Sequence, residues 1–512
     1  MKEVTATAER QPSDESSGTK AESRPSSDGK GGAPVTRREE FDVLFLGGGP
    51  AGYVGAMYAA KLGLRVAVVE RDRLGGTCLH RGCIPTKALL QTAALYRAIR
   101  EAGPRAGVTA DGVRFDAAAA HRAKGEAVLR LEQGIQHLFK RARIEVFRGT
   151  GRLLGPSIFA PAGAVGVRGE GGEDVVLTPK AVVIATGSRP KALPGLPPDG
   201  RRIVTSDEAL TLEEVPRSAV IVGGGAIGVE WASLWRDLGA AVTVVEAAET
   251  LLPGEDAAIG RELARQFKKR GIRVLTGTTI DVDGTEPLPD GVRVRVRPVH
   301  GAGDGNVLAA DVVLVAVGRA PNVEDLGLEA AGVRLENGFI ATGPHYETTA
   351  PSIYAAGDVI GPPMLAHYAQ AVARRVIDHL AGRGGGRLDP RLVPRAVYGF
   401  PEVAAVGLTE AAARAEGRDV AVGTFPFRGI GKAVIEGEVD GFVKIVADRS
   451  TRDVLGVHII GPRATELVGE GALALLMEAA VDELGEAIRP HPTLSEALLE
   501  AALAVDGLAI HA

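Results

Sequence analysis

The chain has 512 residues, 45% hydrophobic and only 4% aromatic, with 68 glycines and 2 cysteines. Lysine and arginine number 59 against 64 aspartate and glutamate, a net charge of −5, so no large positive field exists of the kind a general nucleic-acid binder uses to release counterions. Two cysteines exclude a multi-disulfide secreted scaffold, and no uncharged apolar run reaches the roughly 18 residues of a membrane span.

The length suits about three or four domains with ample cores. Residues 1–40 are rich in Ser, Glu, Lys, Gly and Pro and lack the apolar segment of a signal peptide; Glu3, Glu9, Asp14 and Glu15 argue against a transit peptide. The expectation is a disordered, solvated tail on a cytoplasmic protein.

Order is expected from Phe41. An apolar run to Leu46 leads into Gly47-Gly-Gly-Pro-Ala-Gly52, a helical pattern to Leu62 and a second strand, Leu64 to Glu70. This β-α-β unit carries G-x-G-x-x-G at Gly47, Gly49 and Gly52. The first glycine allows the tight turn, the second lets backbone approach a pyrophosphate, and the third lets helix and strand pack closely. The helix N-terminus then offers unpaired N–H groups to the anion, and Glu70 stands where a carboxylate can accept from ribose hydroxyls.

The same grammar returns. A strand over Ala219–Val222 meets Gly223, Gly225 and Gly228, then a helix over Glu230–Leu238 and a strand over Ala241–Glu246. A terminal acid at Glu246, followed by Ala247, Ala248 and Glu249 without arginine, favours the free 2′-hydroxyl of NAD over the 2′-phosphate of NADP. Between the two units a helical region is expected from Lys87 to about Arg143. Strand ends are expected at Ala181–Ala185 before Thr186-Gly187-Ser188, at Asp311–Val317 before Gly318, and at Ser352–Ala356 before Gly357-Asp358. The Gly- and Arg-rich stretch 382–386 reads as a boundary, after which the pattern is strand-rich from Pro394 and helical over about 465–481.

Both cysteines lie in Gly75-Gly-Thr-Cys78-Leu-His-Arg-Gly-Cys83-Ile-Pro-Thr-Lys87. Two unrelated buried thiols would be one reading. A short-loop redox pair is the other, favoured by the placement of both beside glycine turns at the end of a nucleotide unit. Near the C-terminus, His491 and Glu496 fall in His-Pro-Thr-Leu-Ser-Glu. By spacing alone this could be a surface histidine beside a helix cap, or a base with a carboxylate orienting its ring.

Together these segments resemble the class I pyridine nucleotide–disulfide oxidoreductases. GGTCLHRGCIPTK is similar to the family's redox-active motif and HPTLSE to its C-terminal catalytic segment; GGGAIGVEWASLWRDLGAAVTVVE, VAVGRAPN, IYAAGDV, MLAH, PEVAAVGLTE and GVHIIGP follow in the family's order. Within the family the resemblance is to the members that oxidise dihydrolipoyl groups.

The resemblance implies an α/β fold with two Rossmann-like domains, for FAD and NAD, and a C-terminal α+β dimerisation domain. The implied division is an FAD domain over 41–188 and 319–389, an NAD domain over 189–318 and an interface domain over 390–512. It implies Cys78 as the thiol meeting substrate and Cys83 as the thiol facing the flavin. His491 is implied as proton acceptor, oriented by Glu496 and supplied by the neighbouring subunit of a homodimer. Implied cofactor positions are Gly47, Gly49, Gly52, Glu70, Thr77, Lys87, Gly151, Thr186, Gly187, Ser188, Asp358 and Ala366, with Gly223, Gly225, Gly228, Glu230, Glu246 and Gly318; Lys87 pairs with Glu230 near the flavin, and no metal is expected. The implied partner is a lipoylated acyltransferase or H-protein of a 2-oxoacid dehydrogenase or glycine-cleavage system.

Several positions depart from the family pattern: His80 and Arg81 between the cysteines, Thr86, Tyr368, Ala373-Arg374, Gly399-Phe400 ahead of PEVA, and Arg489-Pro490 before the catalytic histidine. Arg489 is expected to face an acidic partner surface. Glutathione-type reductases are disfavoured by Glu246, mercuric reductases by the absence of a C-terminal cysteine pair, and family transhydrogenases by the complete Cys78–Cys83 pair. A non-catalytic flavoprotein scaffold is disfavoured because every reactive position is present.

Overall fold

The structure is a computed structural model and describes residues 40–155, 163–169, 174–300 and 305–511. The expected N-terminal tail therefore lies, up to residue 39, outside the described residues.

Two parallel sheets form the centre. In the first, the strands Glu145–Arg148, Val66–Glu70, Glu40–Leu46 and Asp174–Ile184 lie side by side in parallel, with Ile353–Ala355 added beyond Asp174–Ile184. The antiparallel strands Val165–Arg168 and Thr150–Leu153 extend from the first half of Asp174–Ile184. All five residues of Val66–Glu70 are buried, as expected of a parallel strand covered on both faces. The second sheet, in the order Arg273–Leu275, Ala241–Val245, Ser218–Val222, Val312–Val315, Ile203–Val204, is wholly parallel.

The helix Pro50–Lys61 follows the first strand and Ala226–Asp237 follows Ser218–Val222. Proline at the first turn of the earlier helix suits a position whose N–H has no intrahelical partner. The later helix begins directly after Gly225, four residues before the expected start at Glu230.

The expected continuous helical region after Lys87 is two long helices, Cys83–Arg97 and Ala117–Ala142, with short helical turns after Arg97. Between the two lie Gly107 and Gly112, both at positive φ, which interrupt helical geometry. A three-stranded antiparallel sheet, Thr278–Leu288, Gly291–Pro298 and Asn306–Ala310, covers one face of the second parallel sheet.

The C-terminal block is a five-stranded antiparallel sheet in the order Arg395–Val397, Glu402–Gly407, Val454–Gly461, Phe442–Asp448, Val420–Pro426. The helices Ala464–Leu476 and Glu496–Leu503 pack on it around Phe425, Val443, Ile459 and Leu498, all fully buried. The expected helix over 465–481 breaks after Leu476, where Glu478 takes φ 55°, and resumes as Val481–Glu486.

The helices Cys83–Arg97 and Ala226–Asp237 run side by side. Lys87 Nζ meets Glu230 Oε2 at 2.8 Å near their starts, and Arg97 meets Asp237 at 2.6 Å at their ends. Asp237 also pairs with Arg270, and the Arg97 guanidinium lies 3.5 Å from the ring centroid of Phe400.

Candidate active site

The two glycine turns have nearly the same geometry. Gly47 takes φ 111° and Gly223 φ 109°, a region that favours glycine. A Cβ on Gly52 would stand 1.9 Å from the Gly47 carbonyl oxygen, and one on Gly228 1.9 Å from that of Gly223. The middle glycines behave differently. A Cβ on Gly225 would meet nothing within 4 Å, and one on Gly49 only the Gly76 Cα at 3.9 Å.

Neither helix N-terminus is capped by a side chain. Each turn thus presents open backbone and unpaired N–H groups in one place, which fits a dinucleotide pyrophosphate. Glu70 accepts from the Gly48 amide at 2.7 Å and the Asp72 amide at 2.8 Å; Glu246 accepts from Gly224 at 2.6 Å and Ala248 at 2.7 Å.

Cys78 and Cys83 are joined in a disulfide. Cys78 and Thr77 lie on the short helix Gly76–Arg81, and Cys83 opens the next helix after Gly82. The redox segment is seated on the first glycine turn. The Gly75 amide donates to the Gly48 carbonyl at 2.8 Å, and a Cβ on Gly76 would stand 2.6 Å from the Gly49 Cα. His80 points its Nε2 at the Leu74 carbonyl, 2.8 Å away, and Arg81 pairs with Asp72 at 2.9 Å.

One turn along the Cys83 helix, Lys87 donates to both oxygens of the buried Glu230 and lies 4.9 Å from the Tyr398 ring centroid. The Tyr398 amide donates to Glu230 at 3.0 Å, and burial together with the Glu230 charge pushes the Tyr398 phenol above its ordinary range.

Asp358 follows the strand Ile353–Ala355. It accepts from Ser188 Oγ at 2.5 Å, and Arg319 donates to the same hydroxyl at 2.7 Å. Arg319 was missed from sequence, although it directly follows Gly318. Thr186 donates to the Asn322 carbonyl at 2.8 Å, and Gly187 and Gly318 take φ 71° and 115°. Gly151 is buried in the strand Thr150–Leu153, where a Cβ would strike the Leu46 side chain at 2.3 Å. Ala366 is the first residue of Ala366–Leu380, a helix whose N-terminus carries no side-chain cap.

In the C-terminal block, His491 Nδ1 lies 2.9 Å from Glu496 Oε1, and the Thr493 amide donates to Oε2 at 2.9 Å. Burial works against the charged form of Glu496. The Thr493 N–H and the His491 ring outweigh it and hold the carboxyl below its usual range. The His491 side chain is 76% exposed, so the ring atom opposite Glu496 remains open.

Arg489 corrects an expectation. Its side chain is only 5% exposed, and both terminal guanidinium nitrogens are committed, to Glu470 and to the carbonyls of Leu484 at 2.9 Å and Ala487 at 2.7 Å, while Nε is buried without a partner. It offers no free charge to an acidic partner.

Among the described residues no group of three or more potential metal ligands occurs, and no helix is long and apolar enough to cross a membrane.

The sequence model of the pyridine nucleotide-disulphide oxidoreductase family matches residues 41–373, and that of its dimerisation domain residues 393–502. The chain is 49% identical over 474 residues to the dihydrolipoyl dehydrogenase of Bacillus subtilis (strain 168), covering 92% of this chain and 99% of that protein. It is 42% identical to that of Chlorobaculum tepidum, covering 91% and 97%.

Among solved structures, LpdA from Mycobacterium tuberculosis superposes with a TM-score of 0.83 at 29% identity, over 91% of this chain and 99% of that one. The HOCl-induced flavoprotein disulfide reductase RclA from Escherichia coli gives 0.77 at 28% identity, over 90% and 99%. The chain belongs to the pyridine nucleotide-disulphide oxidoreductase family, in its dihydrolipoyl dehydrogenase branch, and is an FAD- and NAD-dependent disulfide oxidoreductase.

Proposed function

We propose that the protein oxidises dihydrolipoyl groups carried by a lipoylated acyltransferase or H-protein, with Cys78 and Cys83 as the reacting sulfurs and His491 as the base. The observation that carries this reading is the seating of the Cys78–Cys83 segment on the Gly47–Gly52 turn, through Gly76 against Gly49.

With its Nδ1 proton directed to Glu496, His491 keeps Nε2 free to take the proton of one substrate thiol. The resulting thiolate attacks the Cys78 sulfur. The Cys78–Cys83 bond breaks, a Cys78–substrate disulfide forms, and Cys83 leaves as a thiolate. The second substrate thiol then attacks the substrate sulfur of that mixed disulfide, forming the lipoyl ring and releasing Cys78. Two electrons have moved from substrate to the enzyme sulfurs; of the two protons one rests on His491 and the other, from the second substrate thiol, passes to the released Cys78. A bound FAD would supply the two-electron redox chemistry between the enzyme dithiol and NAD+.

FAD would be held by Gly47, Gly49, Gly52 and Glu70 together with Lys87, Ser188 and Asp358, and NAD by Gly223, Gly225, Gly228 and Glu246. The domains are assigned as 41–188 with 319–389 for FAD, 189–318 for NAD and 390–512 for the interface. The enzyme acts as a cytoplasmic homodimer in which His491 serves the partner subunit's disulfide, a reading supported by the dimerisation domain over residues 393–502 and by the exposure of the ring.

The test is steady-state NAD reduction with free dihydrolipoamide and then with lipoylated carrier proteins. Turnover is expected with both and is expected to vanish in Cys78→Ser. Full activity in that variant overturns the reading.

A further inference from the structure

We propose that Arg489, through Glu470, is the positioning residue that fixes the upstream side of the His491 segment; this rests on the reading of His491 as the base. The segment between the helices Val481–Glu486 and Glu496–Leu503 is short, and His491 sits within it. Two bonds close the turn around it: Thr493 donates its hydroxyl back across His491 to the Pro490 carbonyl at 2.8 Å and its amide to Glu496 at 2.9 Å. Those bonds hold the turn together and tie it to the helix that follows, but not to the helices before it, and Ile488, where the chain enters, is 98% exposed.

Arg489 supplies that tie. One guanidinium nitrogen donates to the carbonyls of Leu484 and Ala487, at the C-terminal end of Val481–Glu486, where helical carbonyls lack intrahelical partners. The second terminal nitrogen donates to Glu470 on the helix Ala464–Leu476. A single buried planar fork thus ties the end of one helix to the side of another, two residues before the base. A lysine ammonium is a compact point charge on a flexible stem and cannot reproduce the two-directional fork. Glu470 shares a helix face with Leu473, an exposed apolar residue, so the anchor for the base lies on the same helix as part of the block's apolar surface.

The experiment compares Arg489→Lys, Glu470→Gln and His491→Gln as flavin-loaded proteins of verified oligomeric size. Two rates are read: NAD reduction by dihydrolipoamide, which needs the base, and NADH oxidation by ferricyanide, which does not. Arg489→Lys is expected to lower dihydrolipoamide turnover by about tenfold or more, and Glu470→Gln by about threefold or more, because small displacements of a reacting group are costly in rate. The ferricyanide rate is expected to stay within about twofold of the parent.

If Arg489→Lys does not fold, Glu470→Gln decides alone. The proposal is overturned if both variants keep parental dihydrolipoamide turnover while His491→Gln loses it, or if both rates fall together. Retention of turnover by His491→Gln overturns the underlying reading of the base instead.

Discussion

Glu246 accepts a hydrogen bond from the Gly224 amide at 2.6 Å, so the acid that follows the second nucleotide strand also closes the glycine turn it serves. Glu246→Gln keeps an acceptor for that amide and removes the charge that would repel a 2′-phosphate. The ratio of kcat/KM for NAD to that for NADP is expected to fall by at least about tenfold, equivalent to about 1.4 kcal/mol. An unchanged ratio in steady-state kinetics would remove Glu246 from cofactor selection.

The paired glycines separate the two cofactor sites. In Gly52→Ala the new Cβ meets a carbonyl oxygen at 1.9 Å within the first turn, and in Gly228→Ala it does so within the second. The first variant is expected to purify with little flavin. The second is expected to remain yellow while its KM for NAD rises by about tenfold or more. Visible absorbance and NAD titration check both, and equal flavin loss in the two variants would contradict the assignment of the turns.

The His491–Glu496 pair makes a pH-dependent prediction. Because the Glu496 carboxyl is held below its usual range, it is ionised at neutral pH and loses its charge only as pH falls through that depressed value. Its contribution is therefore present throughout neutral and alkaline conditions. Glu496→Gln is expected to lower dihydrolipoamide turnover at neutral pH by about a hundredfold or more, by analogy with losing the carboxylate that orients a catalytic imidazole. The NADH–ferricyanide rate is the control that should not move.

A second ionic group bears on stability. Lys444 is buried and donates to Asp256 at 2.9 Å and to Glu410 at 2.7 Å, joining the N-cap of the helix Ala257–Lys269 to the C-terminal block. Burial pushes the Asp256 carboxyl up, but Lys444 and the amides of Ala258 and Glu410 outweigh it and leave the net shift downward. A depressed carboxylate contributes stability above its unfolded pKa and loses it as pH falls through the folded one. Asp256→Asn is expected to cost about 1.5–3 kcal/mol at neutral pH, because it removes one of the two carboxylates that hold the buried ammonium and leaves Glu410. The loss relative to the parent should narrow in acid; denaturant unfolding at two pH values measures it.

The parts legible in sequence were those whose reasons are local. Gly52 and Gly228 announce themselves because no other side chain clears a carbonyl oxygen at 1.9 Å. His491 and Glu496 are close enough in sequence for a single loop to bring them together, although spacing alone favoured a surface histidine beside a helix cap and only the family resemblance favoured the pair. The three-stranded sheet was overlooked despite a period-2 signal: Val292, Val294 and Val296 are buried while Arg293, Arg295 and Arg297 alternate outward. Arg489 was misread for a different reason. Whether a guanidinium faces solvent or turns inward to the Glu470 carboxylate depends on how Ala464–Leu476 packs against the chain 19 residues on, and no local pattern encodes that direction. The ties of Arg319 to Ser188 and Asp358 likewise cross segments far apart in sequence.

The ion pairs at both ends of the helices Cys83–Arg97 and Ala226–Asp237 act like pins through two rails. A slip of one helix along the other by a turn, about 5.4 Å, would have to break Lys87–Glu230 and Arg97–Asp237 together. One rail begins at a redox sulfur and the other at the second glycine turn. The spacing between the disulfide and that nucleotide turn is therefore a property of the resting fold, set before any substrate arrives.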